Sequence, residues 1–165
     1  ASQHIFQDQY HLKEEFPYIF AGLAIAVGFA TFLNGTFVMR FGMHKLVTVF
    51  IVVFTLIPLL YAILFYQTQN PTIEVFLIFC GMQFFAIGFL FGNLRALAMQ
   101  PVGHIAGVGA AINGFVSTIM AVPIATFIGS YVTENALPLF IGFFVCGLLS
   151  LVLLKMLPKK EIITG

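Results

Sequence analysis

The sequence predicts an all-α protein, a polytopic membrane helix bundle of five transmembrane helices. Three observations carry this reading. Hydrophobic residues make up 61% of the 165-residue chain and charged residues only 8%, where a soluble domain carries about 25% charge. The mean hydropathy is +1.06. The apolar residues are gathered into five long runs, each matching the roughly 20 residues that a helix needs to cross a bilayer. So few charges cannot clothe a globule of this size in water. This excludes a soluble enzyme, a disordered tail and a nucleic-acid-binding domain. The net charge of +1 implies no polyanionic partner.

The spans fall at about 16–39, 46–66, 72–99, 105–131 and 136–157. The first and second carry no charge, whereas Glu74 and Arg95 lie toward the two ends of the third. The fourth is uncharged, and Lys155 closes the fifth. Barrel strands are short and alternate in polarity, and these runs do neither. The connections are Arg40–Lys45, Gln67–Pro71, Arg95–His104 and Val132–Asn135. Asn70-Pro71 is a turn signal, and Pro101 and Gly103 read as helix breakers. Short connections predict that consecutive helices pack as antiparallel neighbours, in a single transmembrane domain over 1–165.

Lys and Arg set the orientation. One side collects Arg40, Lys45, Arg95, Lys155, Lys159 and Lys160, and the other holds Lys13 beside Asp8, Glu14 and Glu15. The loops at 40–45 and 95–104 and the C-terminus are therefore expected in the cytoplasm, and the N-terminal segment outside. Residue 1 is Ala, and no basic n-region precedes an apolar core. The chain is expected to be a fragment with an upstream crossing.

Candidate functional residues fall in two stretches. In Asn34–Lys45, Gly42 permits the backbone of a tight turn and Gly35 permits close approach of a neighbouring helix. Arg40 and Lys45 close the turn. They serve either as positive-inside anchors or as conformational contacts that form and break. In Asn93–Ala111, Gly103 and Gly107 are four apart, as are Gly88 and Gly92 just before it, a spacing that lets helices approach closely. Arg95 lies about a turn inside its helix, where it either snorkels to the interface or makes a gating contact. Nearer mid-membrane, Gln83, Asn113 and Ser117 are candidates to line a substrate cavity, the last two at i, i+4. Each could instead serve a helix–helix hydrogen bond. Thr118 lies beside them, and Pro123 can kink their helix. Met82, Phe84, Phe85, Phe89 and Phe91 form either lipid-facing filler or an adaptable apolar surface.

Other chemistry is sparse. His4, Asp8 and His11 fall at i, i+4 and i+7 but lack a fourth ligand, so no metal site is expected. Cys80 and Cys146 lie within spans and are expected as buried free thiols. The sequence shows no nucleophile–base pair, no phosphate loop and no paired carboxylates, so neither an enzyme nor a cofactor is expected. No Asp or Glu sits at mid-membrane, so a proton site would lie elsewhere.

Three places resemble the C-terminal half of a major facilitator superfamily transporter, of the bicyclomycin/chloramphenicol-resistance type of drug–proton antiporters. Ala1–Phe16 resembles the outer end of that family's seventh helix and the loop after it. Asn34, Gly35, Val38, Arg40 and Gly42 resemble its eight–nine turn. Asn93, Ala96-Leu97-Ala98, Pro101, Gly103-His104, Ala106-Gly107 and Ala110-Ala111 resemble its ten–eleven junction. The resemblance implies a twelve-helix protein of two six-helix halves, of which this chain supplies five helices of the second. It implies a secondary active transporter in the cytoplasmic (plasma, or inner) membrane, performing proton-coupled efflux of small amphipathic compounds by alternating access. It also implies that Gln83, Asn113 and Ser117 face the central cavity, while Gly35, Arg40, Gly42, Asn93 and Arg95 serve conformational change. The expected partners are a small-molecule substrate, protons, the lipid bilayer and a missing N-terminal half. The alternative is a stand-alone five-span scaffold or subunit, with the Gly88/Gly92 and Gly103/Gly107 faces as interaction surfaces.

Overall fold

A computed structural model describes residues 16–66, 71–131 and 136–156. The possible ligand row His4, Asp8 and His11, the first stretch of the family resemblance up to residue 15, and Lys13, Lys159 and Lys160 lie outside the described residues. Helix α1 covers Phe16–Phe41, α2 Met43–Phe65 and α3 Ile73–Met99. A 3₁₀ segment, Gln100–Ile105, leads into α4, Ala106–Ser130, and α5 covers Leu137–Met156. Large apolar side chains on every helix, among them Phe29, Ile63, Ile78, Phe115 and Leu153, stay exposed. A surface of this kind is stable against lipid and not against water. The protein is a multi-pass helical membrane bundle.

The expected count of spans is corrected. Among the described residues four continuous helical stretches, not five, are long and apolar enough to cross a membrane: Pro17–Phe41, Met43–Phe65, Ile73–Ser130 and Leu137–Met156. The third is a single run of 58 residues. The reason lies at Pro101. Read as a breaker, it occupies the first turn of the 3₁₀ segment, where a missing N–H has no helical partner to lose. The helical path therefore continues through it and bends at Val102 (φ −112°, ψ 18°). Beyond this elbow only Gly109 of α4 is buried. Its position against Val102 and Met99 anchors one end of α4, and Ile128 against Gly142 of α5 anchors the other. Between these anchors α4 is not packed as an antiparallel neighbour of α3. The arrangement is therefore not the five-helix portion of a six-helix major-facilitator half.

The compact part is α1, α2, α3 and α5. Sequence order predicts α1 against α2, but α1 packs chiefly on α3. Those two helices run in the same direction, with Ala30 opposite Gly88 and Asn34 opposite Asn93. Helix α2 packs on α3 and, antiparallel, on α5: Tyr61 stacks on Phe140 at 3.7 Å between ring centroids, and Gly147 meets Thr55. Lipid is as apolar as leucine, so close packing and polar contacts hold such helices together rather than burial from water. The chain has 21 Phe and no Trp, and several of these phenylalanines pack here. Phe76, Phe79 and Phe140 surround Tyr61 in one core, and Phe50 stacks on Phe89 at 3.9 Å beside the second.

The turn between α1 and α2 is a single residue, Gly42, shorter than the Arg40–Lys45 connection expected, because helix continues through Arg40 and Phe41 and restarts at Met43. The Gly42 φ is +80°, which a side chain tolerates poorly. Its N–H donates to the Val38 carbonyl at 2.9 Å, and its own carbonyl accepts from Leu46 N–H at 3.3 Å. Gly42→Ala is expected to destabilise the bundle by about 1–2 kcal/mol through backbone strain alone, because no neighbour lies within 4 Å of the added methyl. Unfolding in mixed micelles measures this, and an unchanged midpoint would contradict it.

Candidate functional site

Polar side chains inside a bilayer are few, so each one's partner is informative. Helix α3 carries Gln83 and Asn93, which are 0% and 3% exposed. Asn93 faces Asn34 of α1, 59 residues away, in a reciprocal amide pair. Asn93 Nδ2 donates to Asn34 Oδ1 at 2.8 Å, and Asn34 Nδ2 donates to Asn93 Oδ1 at 3.3 Å. Asn93 Nδ2 also donates to the Phe89 carbonyl at 2.9 Å. One turn away, a Cβ on Gly88 would lie 2.6 Å from Ala30 Cβ and 2.8 Å from the Val27 carbonyl. Thr31 Oγ1 bridges the same place, donating to the Val27 carbonyl at 2.8 Å and toward the Gly88 carbonyl at 3.4 Å. The close approach expected at Gly35 is thus made at Gly88, while nothing lies within 4 Å of a Cβ at Gly35. The Gly88/Gly92 face is used inside the chain, with Asn34 Nδ2 4.0 Å from a Cβ on Gly92.

Gln83 sits against α2. Its Nε2 donates to the Phe54 carbonyl at 3.3 Å, and its Oε1 is buried with no partner among the described residues. Asn113 is half-buried and Ser117 exposed on α4, where Ser117 Oγ donates to Asn113 Oδ1 at 3.4 Å. Thr118 turns back to the Gly114 carbonyl. The structure therefore joins Asn113 and Ser117, while among the described residues no hydrogen bond links Gln83 to either. Gln83 is locked between packed helices, and the other two lie on the helix that is anchored only at its ends.

The Lys and Arg side chains among the described residues are exposed, and three of the four rest on aromatic rings. Arg40 and Lys45 share the Phe41 ring, at 5.4 and 5.6 Å from its centroid. Arg95 stacks on Phe91 at 4.3 Å, one turn back on its own helix. Phe91 and Met82 are exposed, Phe84 and Phe85 half-buried, and Phe89 buried. Cys80 is buried and Cys146 half-buried, both as free thiols. Glu74, exposed at the start of α3, is the one carboxylate side chain among the described residues.

Sequence reasoning singled out Asn93 but not its partner. It also missed Thr31 and Pro58 of α2, which lies four residues after the carbonyl that Gln83 caps. A proline within an apolar run, together with a glutamine in the next run, was the available signal for that contact. The major-facilitator, antiporter and drug-efflux identity is corrected by an architecture of four helical stretches with a 58-residue bent third. No family model, no curated protein and no solved structure matches the chain, and what it is established to be is a polytopic helical membrane bundle.

Proposed function

We propose that this chain forms part of a membrane transporter that carries small amphipathic molecules by alternating access. The observation that supports this is α4. It holds Asn113 and Ser117 on a helix fixed to the bundle at Gly109 and Ile128 and unpacked between them. The Asn113 amide N–H groups have no partner among the described residues, and an amide left unpaired in hydrocarbon costs several kcal/mol. A passing solute, or water around it, supplies the missing acceptor. Helix α4 then moves between its two anchors while α1, α2, α3 and α5 stay packed. In this reading no catalysis is involved, and the chain lies in the plasma membrane with its C-terminus inside.

The test is flux of fluorescent amphipathic solutes through proteoliposomes containing the full-length protein. Asn113→Ala is expected to lower flux about tenfold, the loss of roughly one hydrogen bond to the solute, at unchanged protein level. No flux with the wild type, or flux in both Asn113→Ala and Ser117→Ala equal to that of the wild type, would overturn the reading. A second reading is a helix-binding subunit without transport of its own. It is favoured by Gly103 and Gly107, which have nothing within 4 Å of an added Cβ and so leave room for a foreign helix. Under this reading Gly107→Ile abolishes association with that helix and no flux is seen.

A further inference from the structure

Pro58 lies inside α2 and is fully buried. Proline has no N–H, so it cannot give the i→i−4 bond, and the carbonyl four residues back loses its helical donor. That carbonyl belongs to Phe54. Gln83 Nε2, from α3, donates to it at 3.3 Å. We infer that Gln83 is a positioning residue that supplies the donor Pro58 removes, and so pins the proline-weakened turn of α2 to α3. The inference stands apart from the transport reading and holds whether or not the chain moves a solute.

Two further observations support it. A carbonyl oxygen only accepts, so the amide must present Nε2 rather than Oε1 to Phe54. The other end of the amide, Oε1, is then left buried and without a partner among the described residues. Burying half an amide unpaired is costly, and a methionine or leucine of similar size would avoid that cost. The bond to Phe54 is the one side-chain hydrogen bond that Gln83 makes among the described residues, and it is what gives a glutamine its advantage at this place. Thr55, the next residue, donates to the Ile51 carbonyl at 2.8 Å. It satisfies a different acceptor and cannot replace Gln83.

This assignment predicts a change of sign, which a purely space-filling role would not produce. In the full chain, reconstituted in lipid–detergent micelles, Gln83→Met is expected to lower the folding equilibrium constant about tenfold, because the Phe54 carbonyl becomes an orphan. In a Pro58→Ala background, residue 58 regains its N–H and bonds Phe54 itself. Gln83→Met is then expected to be neutral or stabilising, because it removes only the unpaired Oε1. A similar loss in both backgrounds would overturn the inference. Where Gln83→Met alone yields no folded protein, the readout becomes rescue. Folded yield returning in the Pro58→Ala/Gln83→Met double variant supports the pin, and absence of rescue overturns it.

Discussion

Gly88→Leu is expected to separate α1 from α3 and to cost about 3 kcal/mol or more, at the upper end of overpacking effects. Even the first carbon of the new side chain would lie 2.8 Å from the Val27 carbonyl and 2.6 Å from Ala30 Cβ. Backbone cannot rotate away as a flexible side chain can, so the whole of α1 must move. That movement also breaks the Thr31 bridge and stretches the asparagine pair a little over one turn further on. The measurement is the unfolding midpoint in mixed micelles together with folded yield. Gly114→Leu is the control, since nothing lies within 4 Å of its Cβ position and its effect is expected to be within about 1 kcal/mol, the difference in helix propensity. Equal effects at positions 88 and 114 would show that the crossing does not hold the bundle.

The second large effect is at the asparagine pair. Asn93→Leu leaves the buried Asn34 amide facing an apolar side chain, and is expected to cost about 1–3 kcal/mol. Asn34→Leu is expected to cost less, because Asn93 keeps its bond to the Phe89 carbonyl. The double variant Asn34→Leu/Asn93→Leu removes both orphans and is expected to recover most of the loss. A double-mutant cycle in micelles checks this. Additive losses would mean that the two amides do not stabilise each other.

Long apolar runs made the helices legible. Without water to satisfy the backbone, such runs have only the helix as a solution, so α1, α2, α3 and α5 begin and end close to the predicted limits. The use of Gly42 in the turn was legible, because a glycine between two helical runs has one evident use, but not that helix would run up to it on both sides. Pro101 was misread. The same residue ends a helix or opens a tighter one depending on which turn it occupies, and its side chain does not say which. Partners were not legible either. Gly88 showed its smallness but not that Ala30 would fill it. Asn93 showed its polarity but not that Asn34, 59 residues earlier, would answer it. The resemblance of the 93–111 stretch to a transporter junction rested on small residues and a proline. The fold uses those residues for an elbow and an anchor at Gly109.

The preference of α1 for α3 over α2 also bears on how the protein is made. A membrane helix enters the bilayer in the order in which it is translated. Asn34 therefore arrives before Asn93 exists, with the whole of α2 still to be threaded between them. During that interval its amide lacks the partner it has in the folded bundle, and α1 lacks the helix on which it chiefly packs. Until α3 emerges, Asn34 is a polar group in lipid without its asparagine partner, and a longer delay prolongs that cost.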